Sequence, residues 1–401
     1  MKLKTLRDFN IKNKLILLRI GIDSPVVSGK VLDNPRFKEA SQTITQLLEK
    51  DAKIVIIAHQ GRKGDSDFIP LEQHAKILSK HVGKKIKYID FLFEEQALEE
   101  IDSLKFGTAI LMKNVREYED ELILENNRFY TFSELFDLYI NDAFSVSHRV
   151  QGSIIIPPKV IPSCIGPNFE KELTALKNFH SNINQNAIYM IGGQKIEDYI
   201  TLFDVLKNKN SKILASGVLA NLFLISQSHN LGYEDFWVKE KGYDKLIPKL
   251  KEIYKKYSKQ IILPIDFAIG NAIIEKAKRK EILLSDFPTN EKIWDIGHET
   301  VGLFKSYLTK TDYIFVKGPL GYSEIKEFSY STVEILKEIS ILTKKGKVFS
   351  LLGGGHLSTT IQEYKINNNF SHISTSGGAL ISFISGNQLP GLIALEKGIQ
   401  S

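Results

Sequence analysis

Five basic residues recur at comparable places in the first half of the chain. His59 and Arg62 lie in His59-Gln-Gly-Arg62, Arg116 in Asn114-Val-Arg116 and Arg149 in His148-Arg149, while Arg36 follows a polar loop. His59, Arg62, Arg116 and Arg149 each come shortly after an apolar run. Singly, each reads as a solvated surface charge. Gathered on one sheet edge, they would repel one another unless an anion shared the site. The planar guanidinium fork suits phosphate and carboxylate.

The second half carries glycine where the first carries arginine. Apolar runs lead into Gly192-Gly-Gln-Lys195, Ser216-Gly217, Lys317-Gly-Pro-Leu-Gly321 and Gly353-Gly-Gly-His356, and Ser374-Thr-Ser-Gly-Gly378 follows His372. Glycine lets backbone approach a ligand, and free N–H groups at a helix start form an anion site. One such loop ends many strands; several in one lobe point to a nucleotide and its phosphates. Neither Gly-x-x-x-x-Gly-Lys-Ser/Thr nor Gly-x-Gly-x-x-Gly occurs, which excludes a P-loop enzyme and an ordinary dinucleotide enzyme.

The elements that must position these residues alternate in type. Strands are expected at residues 15–18, 54–58, 86–89, 108–112 and 138–141, with helices at 34–50, 71–82 and 94–104. The 34–50 helix shows apolar spacing at Phe37, Ala40, Ile44, Leu47 and Leu48. The rhythm repeats with strands at 187–191, 212–215, 260–263, 313–316 and 348–352 and helical stretches at 196–207 and 331–342. Strand and helix alternating at these intervals predict parallel α/β sheets, whose ligands bind beyond the carboxyl ends of the strands. Residues 155–167 hold Pro157, Pro158, Pro162 and Pro167, and an amphipathic helix follows at 169–179. That stretch reads as a stiffened crossing between two lobes of similar size that face one cleft.

A length of 401 residues fits two or three domains. With 43% hydrophobic and 25% charged residues, a disordered chain, a collagen and a membrane bundle are excluded. The 53 Lys and Arg exceed the 47 Asp and Glu by +6, a thin excess that suits an anionic small molecule better than nucleic acid. Aromatic residues do not interleave with a basic stripe, which also argues against nucleic acid. Cys164 is the single cysteine, so neither an intrachain disulfide nor a cysteine zinc site can form. No apolar core follows the mixed, charged first ten residues, and the apolar runs fall far short of the roughly 20 residues of a membrane span. A cytoplasmic protein with no membrane contact is expected. His74 and His81 read as ordinary helix histidines, His148 and His372 as structural hydrogen-bonding groups, and Cys164 as a packing residue.

The motifs, in their order along the chain, resemble the phosphoglycerate kinase family. They are Arg19…Ser24-Pro25, Arg36, His59-Gln-Gly-Arg62, Asn114-Val-Arg116, Asn141-Asp-Ala-Phe144, His148-Arg149, Gly192-Gly-Gln-Lys195, Gly318-Pro-Leu-Gly321, Gly353-Gly-Gly355, Ser374-Thr375 and Leu389-Pro-Gly391. The variants are most similar to the archaeal branch. The resemblance implies two Rossmann-like lobes with parallel sheets joined by a hinge helix. The phosphoglycerate lobe would span residues 1–165, the hinge helix 166–183 and the nucleotide lobe 184–385, with residues 386–401 packing back on the first lobe. It implies reversible phosphoryl transfer between 1,3-bisphosphoglycerate and ADP, giving 3-phosphoglycerate and ATP with Mg2+, in a monomer or homodimer. By position, Arg36, His59, Arg62, Arg116 and Arg149 match the phosphoglycerate site, and Asp23 stands within it. Lys195 matches the lysine that follows the moving phosphoryl group, with Arg36 as its counterpart from the other lobe. Lobe closure would then assemble the site and exclude water. Gly192, Gly193, Gly217, Pro319, Glu324, Gly353, Gly354, Gly355 and His356 match the nucleotide side, Glu324 at the ribose.

The chain departs from the family pattern in its first motif. Where the family has Arg-x-Asp-x-Asn, this chain reads Arg19-Ile-Gly21-Ile-Asp23. The family's Asp and Asn hold the hydroxyl and carboxylate end of glycerate. Lys317 replaces an Asn, Tyr199 a second lysine, Ser376 a glycine, and His356 the aspartate on the metal side, so no protein metal ligand is assigned. Three readings fit: a working kinase with an altered first loop, a paralogue acting on a related phosphorylated acid, or a non-catalytic protein that binds nucleotide or phosphate.

Overall fold

The computed structural model describes residues 3–181, 186–194 and 196–399. The chain divides into two compact units, residues 1–174 with 386–401, and residues 175–385. The division falls inside the helix Pro167–Ser181.

The first unit is built on a six-stranded sheet. Its strands are β1 (Leu15–Ile20), β2 (Lys53–Ile57), β3 (Ile86–Tyr88), β4 (Ala109–Leu111), β5 (Leu138–Asp142) and β6 (Ser163–Ile165), in the order β3-β4-β2-β1-β5-β6. All neighbours are parallel. β1 reads Leu-Ile-Leu-Leu-Arg-Ile and is buried from its second residue on, because helices cover both faces of a parallel sheet. The helix Pro35–Leu48 starts where Asn34 accepts a hydrogen bond from the Arg36 N–H at 2.9 Å, with proline at the first turn. It buries Phe37, Ala40, Ile44, Leu47 and Leu48, the stripe expected from spacing. The proline-rich stretch departs from its reading as a bare crossing. It forms short helices at Gly152–Ile155 and Pro157–Val160 and then β6, a sixth strand of the sheet. Proline at a helix start gives up an N–H that has no partner there, so these prolines begin structure instead of preventing it. The helix Pro390–Lys397 packs in this unit, where the Gly391 N–H donates to Ser147 O at 2.9 Å.

The second unit has its own six-stranded parallel sheet. Its strands are β7 (Ala187–Ile191), β8 (Ser211–Ala215), β9 (Ile261–Ile262), β13 (Tyr313–Lys317), β14 (Phe349–Gly353) and β15 (His372–Ser374), in the order β9-β8-β7-β13-β14-β15. A separate antiparallel sheet, β11-β10-β12, pairs β10 (Asp266–Gly270) with β11 (Lys280–Leu283) and β12 (Lys292–Ile296). This sheet was not expected, since its strands are short and mixed in polarity. Residues 196–207 are helical as read, in the tighter 3₁₀ form.

Parallel pairing brings the strand ends of each sheet to one edge. In the first unit Arg19 on β1 is in register with Ile57 on β2 and Asn141 on β5. The segments that follow those strands therefore leave the sheet side by side.

Candidate functional site

The loop after β1, residues 21–25, is pinned to the loop after β2. The Gln60 side chain brackets Ser24, accepting from its N–H and donating to its carbonyl, both at 2.9 Å. Gln60 is itself held by His74, whose Nε2–H donates to Gln60 Oε1 at 3.0 Å. Asn114 donates to the Gln60 carbonyl at 2.8 Å and caps the turn that carries Arg116. His74 is more than an ordinary helix histidine. It is buried beneath this loop and sets its course.

On this frame the cations gather. Arg36 donates to the Asp23 carbonyl at 2.8 Å, and its guanidinium lies 3.9 Å from the Asp23 carboxylate. Asp23 Oδ1 accepts from the Gly61 N–H at 3.0 Å, and Arg116 donates to the Gly61 carbonyl. His59 Nδ1 sits 3.0 Å from the Arg19 guanidinium. Because arginine can only donate, Nδ1 accepts and the ring proton is on Nε2. Asp23, Arg116 and His59 thus stand at adjoining strand ends, and Arg36 reaches them from the start of the helix Pro35–Leu48.

Arg149 and Arg62 join them through their fields. Burial lowers the Arg149 pKa, and the charge of Arg62 pushes the same way. Burial brings Arg116 down to about 10, helped by Arg149 and Arg19. Burial holds His59 well below its usual range, and Arg19, Arg116, Arg36 and Arg149 add to the effect. Burial is the largest cause in each case and neighbouring guanidinium charge adds to it, so these residues form a positive cluster. Arg62 is exposed and Arg36, Arg116 and Arg149 are half-buried, so the cluster is open to a ligand.

A buried network lies under this cluster and escaped the sequence reading. Arg19 is fully buried, and its Nε–H donates to Ser153 Oγ at 3.2 Å. Ser153 donates to Glu121 twice, through its hydroxyl and its N–H, both at 3.0 Å. Tyr139 donates to the Ser153 carbonyl at 2.8 Å. Glu121 sits in a run of acids that looks like a solvated turn, and Ser153 lies just before the proline-rich stretch. Neither carried a signal. Cys164 packs in the core of this unit, and burial pushes its thiol pKa up.

Neutral His59 and His74 make stability pH-dependent. Burial takes His74 down to about 4, while the unfolded chain protonates its histidines near 6.5. The stabilisation is complete above pH 6.5 and is lost as pH falls through 6.5 toward the folded value. Each histidine contributes up to about 1.4 kcal/mol per pH unit, and His74 about 3 kcal/mol by pH 4. Urea unfolding at pH 7, 6 and 5 checks this. A free energy that stays level across the interval would show that the histidines titrate in the folded protein.

In the second unit the strand ends meet backbone to backbone. The Gly192 N–H donates to the Lys317 carbonyl at 2.9 Å. A Cβ on Gly318 would stand 2.6 Å from Gly192 O, and Gly318 has φ +75°, so no other residue fits without strain. Gly217 closes on Gly193 in the same way, its virtual Cβ 3.1 Å from the Gly193 nitrogen. Gly192, Gly193, Gly217, Gly318 and Pro319 are therefore one patch at the ends of β7, β8 and β13. Gly353 ends β14, Gly354 follows it, and Gly355 begins the helix Gly355–Glu363. The Lys317 ammonium lies 3.9 Å from where a Cβ on Gly354 would be. Glu324 and His356 pair at the surface, Oε1 to Nδ1 at 3.0 Å. Lys195 lies outside the described residues. Among the described residues no group of three or more His, Cys, Asp or Glu side chains could hold a metal ion, and no helix is long and apolar enough to cross a membrane.

Residues 6–387 match the family model described as phosphoglycerate kinase. A phosphoglycerate kinase of Sulfurisphaera tokodaii is 38% identical, with 99% of this chain and 96% of that protein covered. One of Archaeoglobus fulgidus is also 38% identical, over 98% and 97%. The crystal structure of the Pyrococcus horikoshii phosphoglycerate kinase superposes with a TM-score of 0.88 at 34% identity, covering 98% of each chain. The Coxiella burnetii phosphoglycerate kinase structure gives 0.82 at 25% identity, covering 99% of each.

Proposed function

The chain belongs to the phosphoglycerate kinase family, and on that premise we propose that it transfers a phosphoryl group reversibly between 1,3-bisphosphoglycerate and ADP, forming 3-phosphoglycerate and ATP. The observation that supports this for the first unit is the crowding of guanidinium charge from Arg36, Arg116 and Arg149 around His59, which adds to the burial that lowers its pKa. A small, multiply charged anion relieves it. In this assignment Arg36, His59, Arg62, Arg116 and Arg149 bind the phosphoglycerate, and Asp23 orders the loop beside it. Neutral His59 offers Nε2–H, a hydrogen bond without a further full charge.

The nucleotide falls to the glycine patch of the second unit: Gly192, Gly193, Gly217, Pro319, Gly353, Gly354 and Gly355, with Glu324 at the ribose and His356 beside it. Close-packed backbone leaves no Cβ in the way of phosphates or base. Mg2+ arrives on the nucleotide phosphates, where it neutralises charge. Phosphoryl transfer asks for alignment and neutralisation more than for an acid–base pair, and that is what arginines, a lysine and backbone N–H groups supply. Arg36 and Lys195 are assigned to the moving phosphoryl group. The single buried thiol needs no oxidising compartment, which supports a cytoplasmic enzyme; we assign it as a monomer or homodimer.

Coupled turnover with 3-phosphoglycerate and MgATP, beside calorimetric titration of each, tests the assignment. Turnover with both substrates is expected. Binding of both without turnover would make the chain a non-catalytic member of its family, and turnover with a different phosphorylated acid alone would make it a paralogue.

A further inference from the structure

The glycerate end of the ligand needs a polar partner that the first loop does not offer. Gly21 has no side chain. The Asp23 carboxylate is committed to the Gly61 N–H and lies beside Arg36. The Ser24 hydroxyl donates to the Leu32 carbonyl at 2.5 Å and accepts from Asn34 at 2.8 Å. Every polar side chain of residues 21–25 is thus engaged within the protein.

The space above Gly21 is nonetheless filled. A Cβ on Gly21 would lie 3.0 Å from Ser145 Oγ, with Ala143 next at 3.8 Å. Ser145 belongs to the turn Phe144–Val146 that follows β5, three residues past Asp142 and four before Arg149. It is half-buried, and its hydroxyl makes no hydrogen bond among the described residues. An uncommitted hydroxyl therefore stands where a side chain at position 21 would begin, on the segment that also carries Arg149.

We propose that Ser145 is a substrate-contacting, specificity-determining residue, whose hydroxyl replaces the side chain missing at Gly21 and binds the hydroxyl or carboxylate end of the glycerate. This rests on the phosphoglycerate assignment above. A serine hydroxyl donates and accepts, so it suits either group, and it adds no charge next to a carboxylate. Positions 21 and 145 then form a coupled pair, since a larger residue at 21 and a hydroxyl at 145 compete for one space.

The test uses the full chain and two ligands, 3-phosphoglycerate and inorganic phosphate. Ser145→Ala is expected to lower kcat/KM for 3-phosphoglycerate about 10-fold, equivalent to about 1.4 kcal/mol. Its affinity for inorganic phosphate, measured by competition, should stay within about twofold, because arginines hold that group. Gly21→Asp alone should also lose activity, since its Cβ meets Ser145 Oγ. Gly21→Asp with Ser145→Gly should recover it, giving a double-mutant cycle of opposite sign to additivity. Circular dichroism confirms that each variant is folded. Unchanged kcat/KM in Ser145→Ala overturns the proposal, as do equal losses for both ligands or additive effects in the cycle. If the unaltered protein neither binds nor turns over 3-phosphoglycerate, the functional assignment falls first and this inference with it.

Discussion

Replacing Lys195 with alanine is expected to slow turnover by about 10²–10³-fold while leaving nucleotide affinity nearly unchanged. In sequence Lys195 follows Gly192-Gly193 at the end of β7, and those glycines belong to the patch that closes across β8 and β13. Backbone in that patch can hold a nucleotide in the ground state without help from an ammonium. A cation earns a separate role only where charge moves. In a loose phosphoryl transfer, negative charge spreads over the oxygens between donor and acceptor, and a preorganised ammonium stabilises that state more than either ground state. Removing one such donor corresponds to roughly 3–4 kcal/mol of barrier. The measurement is kcat at saturating substrates beside the ADP dissociation constant from calorimetry. If both change by the same factor, Lys195 is a ground-state binder and the second unit must supply another group.

Glu121→Ala is expected to destabilise the first unit by about 3–5 kcal/mol, the range for leaving a buried charge uncompensated. Arg19 and Glu121 are both fully buried, with Ser153 between them. Burial pushes the Glu121 carboxyl up, while the Arg19 charge opposes that shift. Both Glu121 oxygens accept from Ser153, which is the pattern of a carboxylate. Without it, the Arg19 guanidinium keeps its charge in the core and loses the largest opposing charge near it. Its contact to His59 Nδ1 loses its anchor as well, so the ring's tautomer is no longer set. Urea midpoints read the stability loss, and nitrogen chemical shifts of His59 read the tautomer. Glu121→Gln keeps the shape and should lose less. A Glu121→Ala protein as stable as the original would show that water reaches Arg19 and that the pair is not a buried one.

How much of this was legible in the sequence depends on how far each feature depends on distant neighbours. The strands of the two parallel sheets announce themselves as apolar runs because both faces are covered, a property local to each segment. The recurrence of His59, Arg62, Arg116 and Arg149 after such runs follows from topology alone: parallel strands put their ends on one edge. The helix spanning Pro35–Leu48 was readable from spacing. The family, too, was legible, since its motifs keep their order over almost the whole chain.

Other features are set by contacts between residues far apart in sequence. Nothing around Glu121 separates it from the exposed acids beside it. It is buried because Ser153, 32 residues on, and Arg19 on β1 converge over it. His74 lies on an ordinary amphipathic helix and matters because Gln60 reaches it from the end of β2. The prolines near 157 look like a stiff linker, yet they start helices because their missing N–H groups coincide with a helix's free first turn. At Gly21 the sequence by itself registers only a missing side chain. That the space belongs to Ser145, 124 positions away, was decided by the pairing of β1 with β5, which sets the loops after both strands side by side.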